Sequence, residues 1–473
     1  MREPVHQPGP GSDQSHAGVQ DVRGPARPRG GVVRRVVIAG RGPVAHRLAH
    51  ELARHPVEVV VLGADRRRPA PNRVLLPGVL AGTLPVETVA MPPLPERVRT
   101  GARAVSVDRE HRVVRTESGE CVDYDDLVLA TGTSSPVVPG DSALSLSTVD
   151  ECVRLRERID AGGRVVVSGG GVLGVRLAQT LARGGVGVDL VAAAGLLPGR
   201  VDPACAEVLA RALDPSIRLR AGARIAEHRA GRVRLVDGTT IQATALVAPD
   251  GRPDGGLAVD AGLHVAECGG VVVDSELRTS DPRIRAVGGC TADPGSAEHA
   301  WDRADLLAAL LSGQRPRRGG GPRTRLRAPG LDLLAVGDEP GEDEVVLSDP
   351  SSGRYARFVL RDGRIASAVL LGFPHATGVV NQCFDDGREL PGDLRALLFG
   401  PSAPDELSPS ALPDDALVCR CNSVSKRVIT SAWREGARSP EELSASTRAG
   451  TGCGTCASAL TELCTWLNSE EAA

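Results

Sequence analysis

Residues 36–65 read VVIAGRGPVAHRLAHELARHPVEVVVLGAD, and this stretch decides the fold. A short apolar run enters a glycine-rich turn at residues 40–45, an amphipathic helix pattern follows, and a second apolar run covers residues 57–62. Glycines at this spacing allow the backbone to approach a pyrophosphate, whose charge then lies at the helix N-terminus. The stretch predicts a strand, turn, helix and strand that bind a dinucleotide, although such a turn also occurs in ordinary α/β units.

Length and composition exclude several classes of protein. The length of 473 residues predicts about three domains, and a hydrophobic content of 41% is enough for packed cores. The formal net charge is −3. Only Lys426 among the 56 basic residues is a lysine, which indicates an arginine bias in composition rather than a nucleic-acid surface. Because we find no signal peptide and no apolar stretch that could span a bilayer, we expect a cytoplasmic protein with no membrane partner.

A second glycine fingerprint strengthens the dinucleotide interpretation. The sequence GGGVLG at residues 169–174 follows an apolar run and precedes a helix pattern and another strand pattern. Between the two fingerprints, a β-meander pattern leads to a buried strand that ends on the small turn Ala130-Thr131-Gly132. A β-ladder pattern at residues 217–242 follows the second unit, and a later strand ends at Gly288. Two such units in one chain indicate dinucleotide binding much more strongly than one unit does.

The predicted fold class is therefore α/β, with two Rossmann-like dinucleotide-binding lobes, a small α/β segment and a C-terminal, mostly helical module. Stretches rich in proline, glycine and charge mark the boundaries. The predicted parts are a disordered leader (1–34), the first lobe (35–148 and 255–313), the second lobe (149–254), two linkers (314–323 and 401–413), the small α/β segment (324–400) and the terminal module (414–468).

Four cysteines in the terminal module have metal-ligand spacing. Cys419 and Cys421 form C-x-C, and Cys453 and Cys456 form C-x-x-C within a glycine-rich turn. Thiolates in this setting suit a two-iron cluster, because glycine N–H groups can hydrogen-bond the sulfur atoms. A structural zinc site is the alternative. The chain has 11 cysteines, and this odd number argues against a disulfide framework. We interpret the seven cysteines outside the two pairs as small core residues: Cys121, Cys152, Cys205, Cys268, Cys290, Cys383 and Cys464.

With both fingerprints and the two later turns in this order, residues 35 to about 313 resemble the two-dinucleotide flavoprotein reductases. In that family FAD lies along the first fingerprint and NAD(P)H along the second. The stretch LRAPGLDLLAVGD at residues 326–338 and the cysteine module narrow the resemblance to the flavin half of assimilatory nitrite reductase large subunits and to the electron-transfer subunit of assimilatory nitrate reductase. The last module resembles bacterioferritin-associated ferredoxin, which holds a [2Fe–2S] cluster.

The resemblance also implies site residues. For FAD they are Gly40, Arg41, Gly42, Pro43 and Val44 at the pyrophosphate, Asp65 at the adenosine ribose, Arg73, Thr131 and Gly132 on the flavin side, and Gly288 with the adjacent Gly289 at the ribityl and phosphate region. For the nicotinamide nucleotide they are Gly169, Gly171, Val172, Leu173 and Gly174. For iron they are Cys419, Cys421, Cys453 and Cys456. No catalytic residue is predicted.

The chain departs from the family pattern at several of these places. Gly289 stands where the family usually has an aspartate that binds the ribityl chain. Ala192 stands where a glutamate marks NADH, no nearby arginine marks NADPH, and Arg176 replaces a glutamate of the following helix. Gly63 and Ala64 displace the acid at position 65 from the end of its strand. The nucleotide is therefore left open between NADH and NADPH.

The implied function is transfer of electrons from NAD(P)H through FAD and the cluster to a partner reductase, with nitrate or nitrite assimilation as the expected setting. We find no further cysteine set for a sirohaem and [4Fe–4S] half, which favours an electron-transfer subunit, and no C-x-x-C or C-x-x-x-x-C in either lobe, which argues against a dithiol–disulfide reductase. Two alternatives remain: a flavin and iron–sulfur protein that senses redox state or binds a partner without NAD(P)H turnover, and a subunit of an amine- or opine-type oxidase.

Overall fold

A computed structural model gives the fold of the chain. The predicted leader lies almost wholly outside the part that it describes, as do Asp65, Cys421 and Cys453. The described residues are 33–63, 71–80, 84–91, 93–134, 138–141, 143–160, 163–293, 297–315, 321–390, 392–399, 410, 412–419, 422, 424–451 and 456–472.

The elements follow in chain order. The first group is β1 (Arg35–Ala39), α1 (Pro43–Leu52), β2 (Glu58–Leu62), α2 (Leu76–Leu80), β3 (Arg99–Gly101), β4 (Ala104–Asp108), β5 (Val113–Thr116), β6 (Cys121–Asp123), β7 (Asp126–Leu129) and β8 (Thr133–Ser134). The second is α3 (Val149–Asp160), β9 (Arg164–Ser168), α4 (Val172–Arg183), β10 (Gly187–Ala192), α5 (Pro203–Ala212), β11 (Ile217–Ala221), β12 (Ile225–Arg229), β13 (Arg232–Leu235), β14 (Thr240–Gln242), β15 (Ala245–Val247), β16 (Arg252–Pro253), α6 (Gly256–Asp260), β17 (Ile284–Ala286) and α7 (Ala297–Ser312). The third is β18 (Arg323–Ala328), β19 (Leu331–Val336), β20 (Asp343–Asp349), β21 (Arg354–Arg361), β22 (Arg364–Leu371), α8 (Pro374–Asp386), α9 (Leu394–Phe399), β23 (Leu417–Cys419), β24 (Val424–Ser425), α10 (Lys426–Arg434), α11 (Pro440–Thr447) and α12 (Ala457–Ala472).

Five parallel strands in the order β17-β7-β1-β2-β3 form the sheet of the first lobe. Every residue of β1 is buried, because α1 and α7 cover one face of the sheet and the antiparallel sheet β4-β5-β6 covers the other. Leu48 and Leu52 of α1 pack with Leu307 of α7 in this core. Each such leucine contributes about 1.5–3 kcal/mol by leaving water.

The second lobe repeats this plan with four parallel strands in the order β11-β10-β9-β15. The antiparallel sheet β12-β13-β14 covers one face and α4 covers the other. The sequence pattern groups residues 217–219 with the β-ladder that follows the second unit, but β11 pairs with β10 in the parallel sheet. The alternation of Ile217 and Leu219 suits either sheet, so the pattern predicts a strand without its neighbour.

A short pairing joins the two lobes. Strand β8 leaves the first lobe after the Thr131–Gly132 turn, and β16 leaves the second lobe after β15. They pair in antiparallel fashion, Thr133 opposite Pro253 and Ser134 opposite Arg252. The turns that end β7 and β15 are thereby held next to each other.

A five-stranded antiparallel sheet, ordered β18-β19-β22-β21-β20, follows the lobes. One face packs on α8 and α9, and the other joins the core of the second lobe through residues such as Leu333 and Tyr355. The cysteine module then contains the small β23-β24 pair and the helices α10, α11 and α12. No helix in the described part of the chain is both long and apolar enough to cross a bilayer.

A buried ion-pair cluster fastens the first lobe. Asp126, at the start of β7, accepts hydrogen bonds from Arg34 before β1 and from Arg285 of β17, the latter at 2.7 Å. The side chains of Asp126 and Arg285 are only 5% and 11% exposed. The cluster therefore joins three segments that are far apart in sequence.

We expect Asp126→Ala to lower the free energy of unfolding by about 3–5 kcal/mol, because it leaves a buried guanidinium without its carboxylate. Chemical denaturation of the purified variant measures this loss. Asp123→Ala, at an exposed position of β6, is the matched control and should change stability by less than about 0.5 kcal/mol. Equal stability of the two variants would show that the buried cluster contributes nothing.

Candidate functional site

A cleft of about 740 Å³ opens where β1, β2 and β7 end. This volume lies within the usual range for cofactor sites, and the carboxyl ends of parallel strands are where open α/β sheets bind ligands. Of the predicted residues, Gly40, Arg41, Gly42, Pro43, Arg73 and Thr131 line it. Other lining residues come from the β4 region, from the start of α3 and from α6.

The first glycine turn has the geometry that a pyrophosphate needs. Gly40 has φ of +140°, and a Cβ there would lie 2.0 Å from the carbonyl oxygen of Ala130. Gly42 is the N-cap of α1, with Pro43 in the first turn, and no described atom lies within 4 Å of a Cβ built on Gly42. The first glycine therefore allows the two strand ends to touch, and the second leaves the helix N-terminus open to the cleft.

Two of the residues predicted for the flavin side, Arg73 and Thr131, line the cleft. Arg73 donates from Nη1 to Thr133 Oγ1 at 3.2 Å, whereas its buried Nε has no hydrogen-bond partner in the described part of the chain. Burial lowers the pKa of Arg73, although the carboxylates of Glu151 and Asp250 oppose this. Thr131 Oγ1 donates to the carbonyl of Asp254 at 2.6 Å. A buried donor without a partner fits a bound polar cofactor, so these residues suit FAD.

The turn at Gly288 and Gly289 packs tightly against Val44 and Thr133. Gly288 has φ of +81°, and a Cβ there would lie 3.2 Å from Val44 Cγ2. A Cβ at Gly289 would lie 2.8 Å from Thr133 Cγ2, close to Gly132 as well. The family's aspartate would have to displace Thr133, so Gly289→Asp is not a simple restoration of the family pattern.

The adenosine end of the cleft differs from the family pattern too. A Cβ at Gly63 would lie 2.5 Å from Arg41 Cβ, so the glycine at the end of β2 makes room for the arginine of the first fingerprint. The acid predicted to bind the ribose, Asp65, lies outside the described residues. Arg41 therefore fills the corner next to β2.

A residue to which the sequence analysis assigned no role lies against the second fingerprint. The carboxylate of Asp250, just beyond β15, lies at the N-terminus of α4, and Gly171 N donates to its Oδ2 at 3.1 Å. Burial raises the pKa of Asp250 to about 6, although N–H groups of Gly171, Gly174 and Leu173 and the charge of Arg73 favour the ionised form. The sequence signal was an acid directly after a buried strand of the parallel sheet.

The remaining departures lie at the end of β10 and on α4. Ala192, where a ribose acid is expected, is fully buried, and its Cβ would lie 3.0 Å from a Cβ on Gly170. Val172 and Leu173 form the first turn of α4, and Arg176 lies on the same helix. The described end of β10 therefore offers no side-chain carboxylate to a ribose.

Half of the predicted iron ligands lie in the described part of the cysteine module. Cys419 and Cys456 are buried in one apolar cluster, and Gly450 N donates to Cys456 Sγ at 3.1 Å. Asn422 Nδ2 donates to the carbonyl of Arg448 at 2.6 Å and so joins the two cysteine-bearing turns. Such N–H donors stabilise thiolate ligands, so the described residues fit an iron–sulfur cluster.

The other cysteines are mostly core residues, as interpreted from the sequence. Burial raises the pKa of Cys152 to about 11 and that of Cys205 to about 12, which keeps both thiols protonated at neutral pH. The interpretation is wrong for Cys268, which is exposed, and Cys121 is half-buried. None of the nine cysteines in the described part of the chain forms a disulfide.

The fold and the two glycine turns define a class of protein. Residues 34–304 match the pyridine nucleotide-disulphide oxidoreductase family, and the chain belongs to this family. Residues 417–465 match the BFD-like [2Fe–2S] binding domain, which supports iron–sulfur over zinc. The family binds FAD and NAD(P)H, so the cofactor set expected from the sequence is confirmed and the chain is an oxidoreductase by family.

Relatives narrow the resemblance. The chain is 30% identical over 455 residues to the large subunit of nitrite reductase [NAD(P)H] of Klebsiella oxytoca, covering 89% of this chain and 48% of that protein. It is 25% identical over 469 residues to the assimilatory nitrate reductase electron transfer subunit of Bacillus subtilis (strain 168), covering 92% of this chain and 60% of that subunit. A ferredoxin reductase structure from Rhodopseudomonas palustris is 25% identical with a TM-score of 0.62, and the match covers 75% of this chain and 95% of that protein. The chain thus spans about half of these curated relatives.

The acid at the second fingerprint predicts a pH-dependent stability. Because the pKa of Asp250 is about 6 in the folded state and 3.8 in its ordinary setting, the folded state holds the extra proton between these values. Stability contributed by this group therefore falls as the pH rises through that window. We expect the free energy of unfolding of Asp250→Asn to exceed that of the native protein by about 2–3 kcal/mol at neutral pH, and we expect this difference to vanish near pH 4. Apparent Tm values of both proteins between pH 4 and neutral pH measure this difference in stability. Parallel curves of Tm against pH would contradict the prediction.

Proposed function

We propose that the chain is an electron-transfer flavoprotein that accepts hydride from NAD(P)H on FAD and delivers single electrons through its [2Fe–2S] cluster to a partner reductase. By analogy with the relatives, the partner belongs to a nitrate- or nitrite-reducing system in the cytoplasm. The chain's own residues hold and orient the cofactors: the first glycine turn holds the FAD pyrophosphate, and Arg73 and Thr131 position the flavin side.

The observation that carries the proposal is the contact between the cysteine module and the first lobe. Trp301 of α7 is 3% exposed and packs in the same apolar cluster as Cys419 and Cys456. Val44, in the first turn of α1 and beside Gly288, packs against this cluster. Arg448, near the second cysteine pair, donates to the carbonyl of Ala90 at 2.7 Å. Cys419 and Cys456 therefore lie on the side of the lobe that carries the cleft.

This placement of the cysteine module suits a role in electron transfer from the flavin better than a role as an independent binding module. Thiolates that face water far from the cleft would exchange electrons with solution partners but not with the flavin. Here Val44 belongs to the predicted FAD turn and also packs against the apolar cluster that contains Cys419 and Cys456. One side chain thus lies between the predicted FAD turn and the cluster around the two described cysteines.

Absorption spectra of the anaerobically purified protein test the proposal, with iron and zinc measured on the same sample. We expect flavin and [2Fe–2S] bands that both bleach after addition of NADH or of NADPH. A protein that contains flavin and iron but is reduced by neither nucleotide would overturn it.

A second candidate is a flavin and iron–sulfur protein that senses redox state without NAD(P)H turnover. The carboxylate at the N-terminus of α4 favours this candidate, since it lies where a nucleotide's pyrophosphate is expected. Reduction by dithionite but by neither nucleotide would support it.

A further inference from the structure

The second fingerprint encloses a carboxylate. A Cβ built on Gly169, Gly171 or Gly174 would lie 2.5, 2.8 or 3.0 Å from Asp250 Oδ2. At Gly169 and Gly171 the space that a Cβ would take is occupied by this one side chain, whereas at Gly174 the carbonyl oxygen of Gly169 is nearer, at 2.0 Å. In the first lobe, by contrast, no described atom lies within 4 Å of a Cβ at Gly42, the equivalent helix cap.

The carboxylate makes the interactions that the fold offers to a pyrophosphate. Gly171 N donates to Asp250 Oδ2 at 3.1 Å, and the N–H groups of Leu173 and Gly174 also favour the charged carboxylate. These groups form the first turn of α4, whose dipole attracts an anion. One anion already occupies this position.

The backbone that carries Asp250 is held in place. A Cβ on Gly251 would lie 2.7 Å from Thr133 Oγ1 and from Ser134 O, and the next two residues form β16, which pairs with β8. On the other side, Asp250 follows the buried strand β15. The carboxylate can therefore leave the N-terminus of α4 by side-chain rotation but not by movement of the loop.

We propose that Asp250 sets the affinity for the nicotinamide nucleotide by competing with its pyrophosphate for the N-terminus of α4. The inference rests on the proposed use of NAD(P)H. The nucleotide binds only when the carboxylate rotates away, because two anions cannot share the same N–H groups. The guanidinium of Arg73 attracts the carboxylate and gives it an alternative partner on the flavin side.

The buried Ala192 increases the importance of this competition. Since the described end of β10 gives the ribose no carboxylate, the pyrophosphate contact supplies a larger share of nucleotide affinity. Removing the competitor should therefore have a large effect on binding.

Equilibrium binding of NAD⁺ and NADP⁺ to the holoprotein tests the inference without a redox reaction. Asp250→Asn removes the charge and keeps the shape, whereas Asp250→Ala also empties the space. We expect affinity to increase about 10-fold in the first variant and by up to about 100-fold in the second. Asp237→Asn, in the exposed β13–β14 turn of the same lobe, is the matched control and should bind like the native protein.

The outcomes separate the inference from the proposed function. Tighter binding by both Asp250 variants but not by the control supports the competition. Equal affinities in all four proteins would overturn the inference and leave the proposed function intact. Absence of binding in every variant, with native circular dichroism and full FAD content, would overturn both.

Discussion

Gly40→Ala is expected to give a folded protein that no longer retains FAD after purification. The added methyl group would lie 2.0 Å from the carbonyl oxygen of Ala130 and 2.5 Å from its carbon, at a φ of +140° that alanine rarely adopts. Backbone strain of this kind costs about 1–3 kcal/mol, and relief requires the ends of β1 and β7 to separate. That separation opens the turn that holds the pyrophosphate. We expect FAD affinity to fall by about 100-fold or more.

The FAD-to-protein ratio from the visible spectrum measures this effect. Gly119→Ala is the matched control, because Gly119 also has a positive φ, of +80°, but no described atom lies within 4 Å of its Cβ. That variant should lose about 1 kcal/mol of stability and keep its flavin. If Gly40→Ala retained a full complement of FAD, the first turn would not be the pyrophosphate site.

Cys456→Ser is expected to remove the iron and stop electron delivery to one-electron acceptors, while reduction of the flavin by nucleotide continues. Cys456 is 5% exposed, and its Sγ accepts the Gly450 N–H at 3.1 Å. A serine oxygen is a poor ligand for iron that prefers thiolate, so the cluster loses one of its four predicted anchors. Iron content, flavin reduction and acceptor reduction are measured on the same preparation.

Cys464→Ser is the matched control. Cys464 is equally buried in the same apolar cluster, but its Sγ donates to the carbonyl of Arg438 at 3.6 Å and it is not a predicted ligand. We expect this variant to keep its iron. Loss of iron from both variants to the same extent would indicate that packing of the module, rather than ligation, holds the cluster.

Features that depend on neighbouring residues in the chain were predictable from the sequence. Each fingerprint combines a strand, glycines and a helix within 30 residues or fewer, and both have the predicted structure in α1 and α4. The C-terminal module was predicted to be mostly helical, and α10 and α11 lie between its two cysteine pairs. Helix α12 was missed, although Leu460, Leu463 and Leu467 repeat with helical spacing.

Features that depend on distant segments were not predictable. The sheet that β11 joins depends on β10, which its own pattern does not specify. The role of Asp250 depends on a fingerprint about 80 residues earlier in the chain, and the glycine at 289 depends on Thr133. The last two contacts form between turns that follow different strands of the fold.

The position of β17 has a consequence for the order in which the chain folds during synthesis. The second lobe is built from one continuous stretch, β9 to β15, whereas the sheet of the first lobe needs β17, which emerges from the ribosome after the whole second lobe. Until then β7 is an unpaired edge and Asp126 lacks Arg285. The lobe that is translated first is therefore the one completed last, and a nascent chain exposes an open sheet edge during the synthesis of more than 150 residues, counted from β7 to β17.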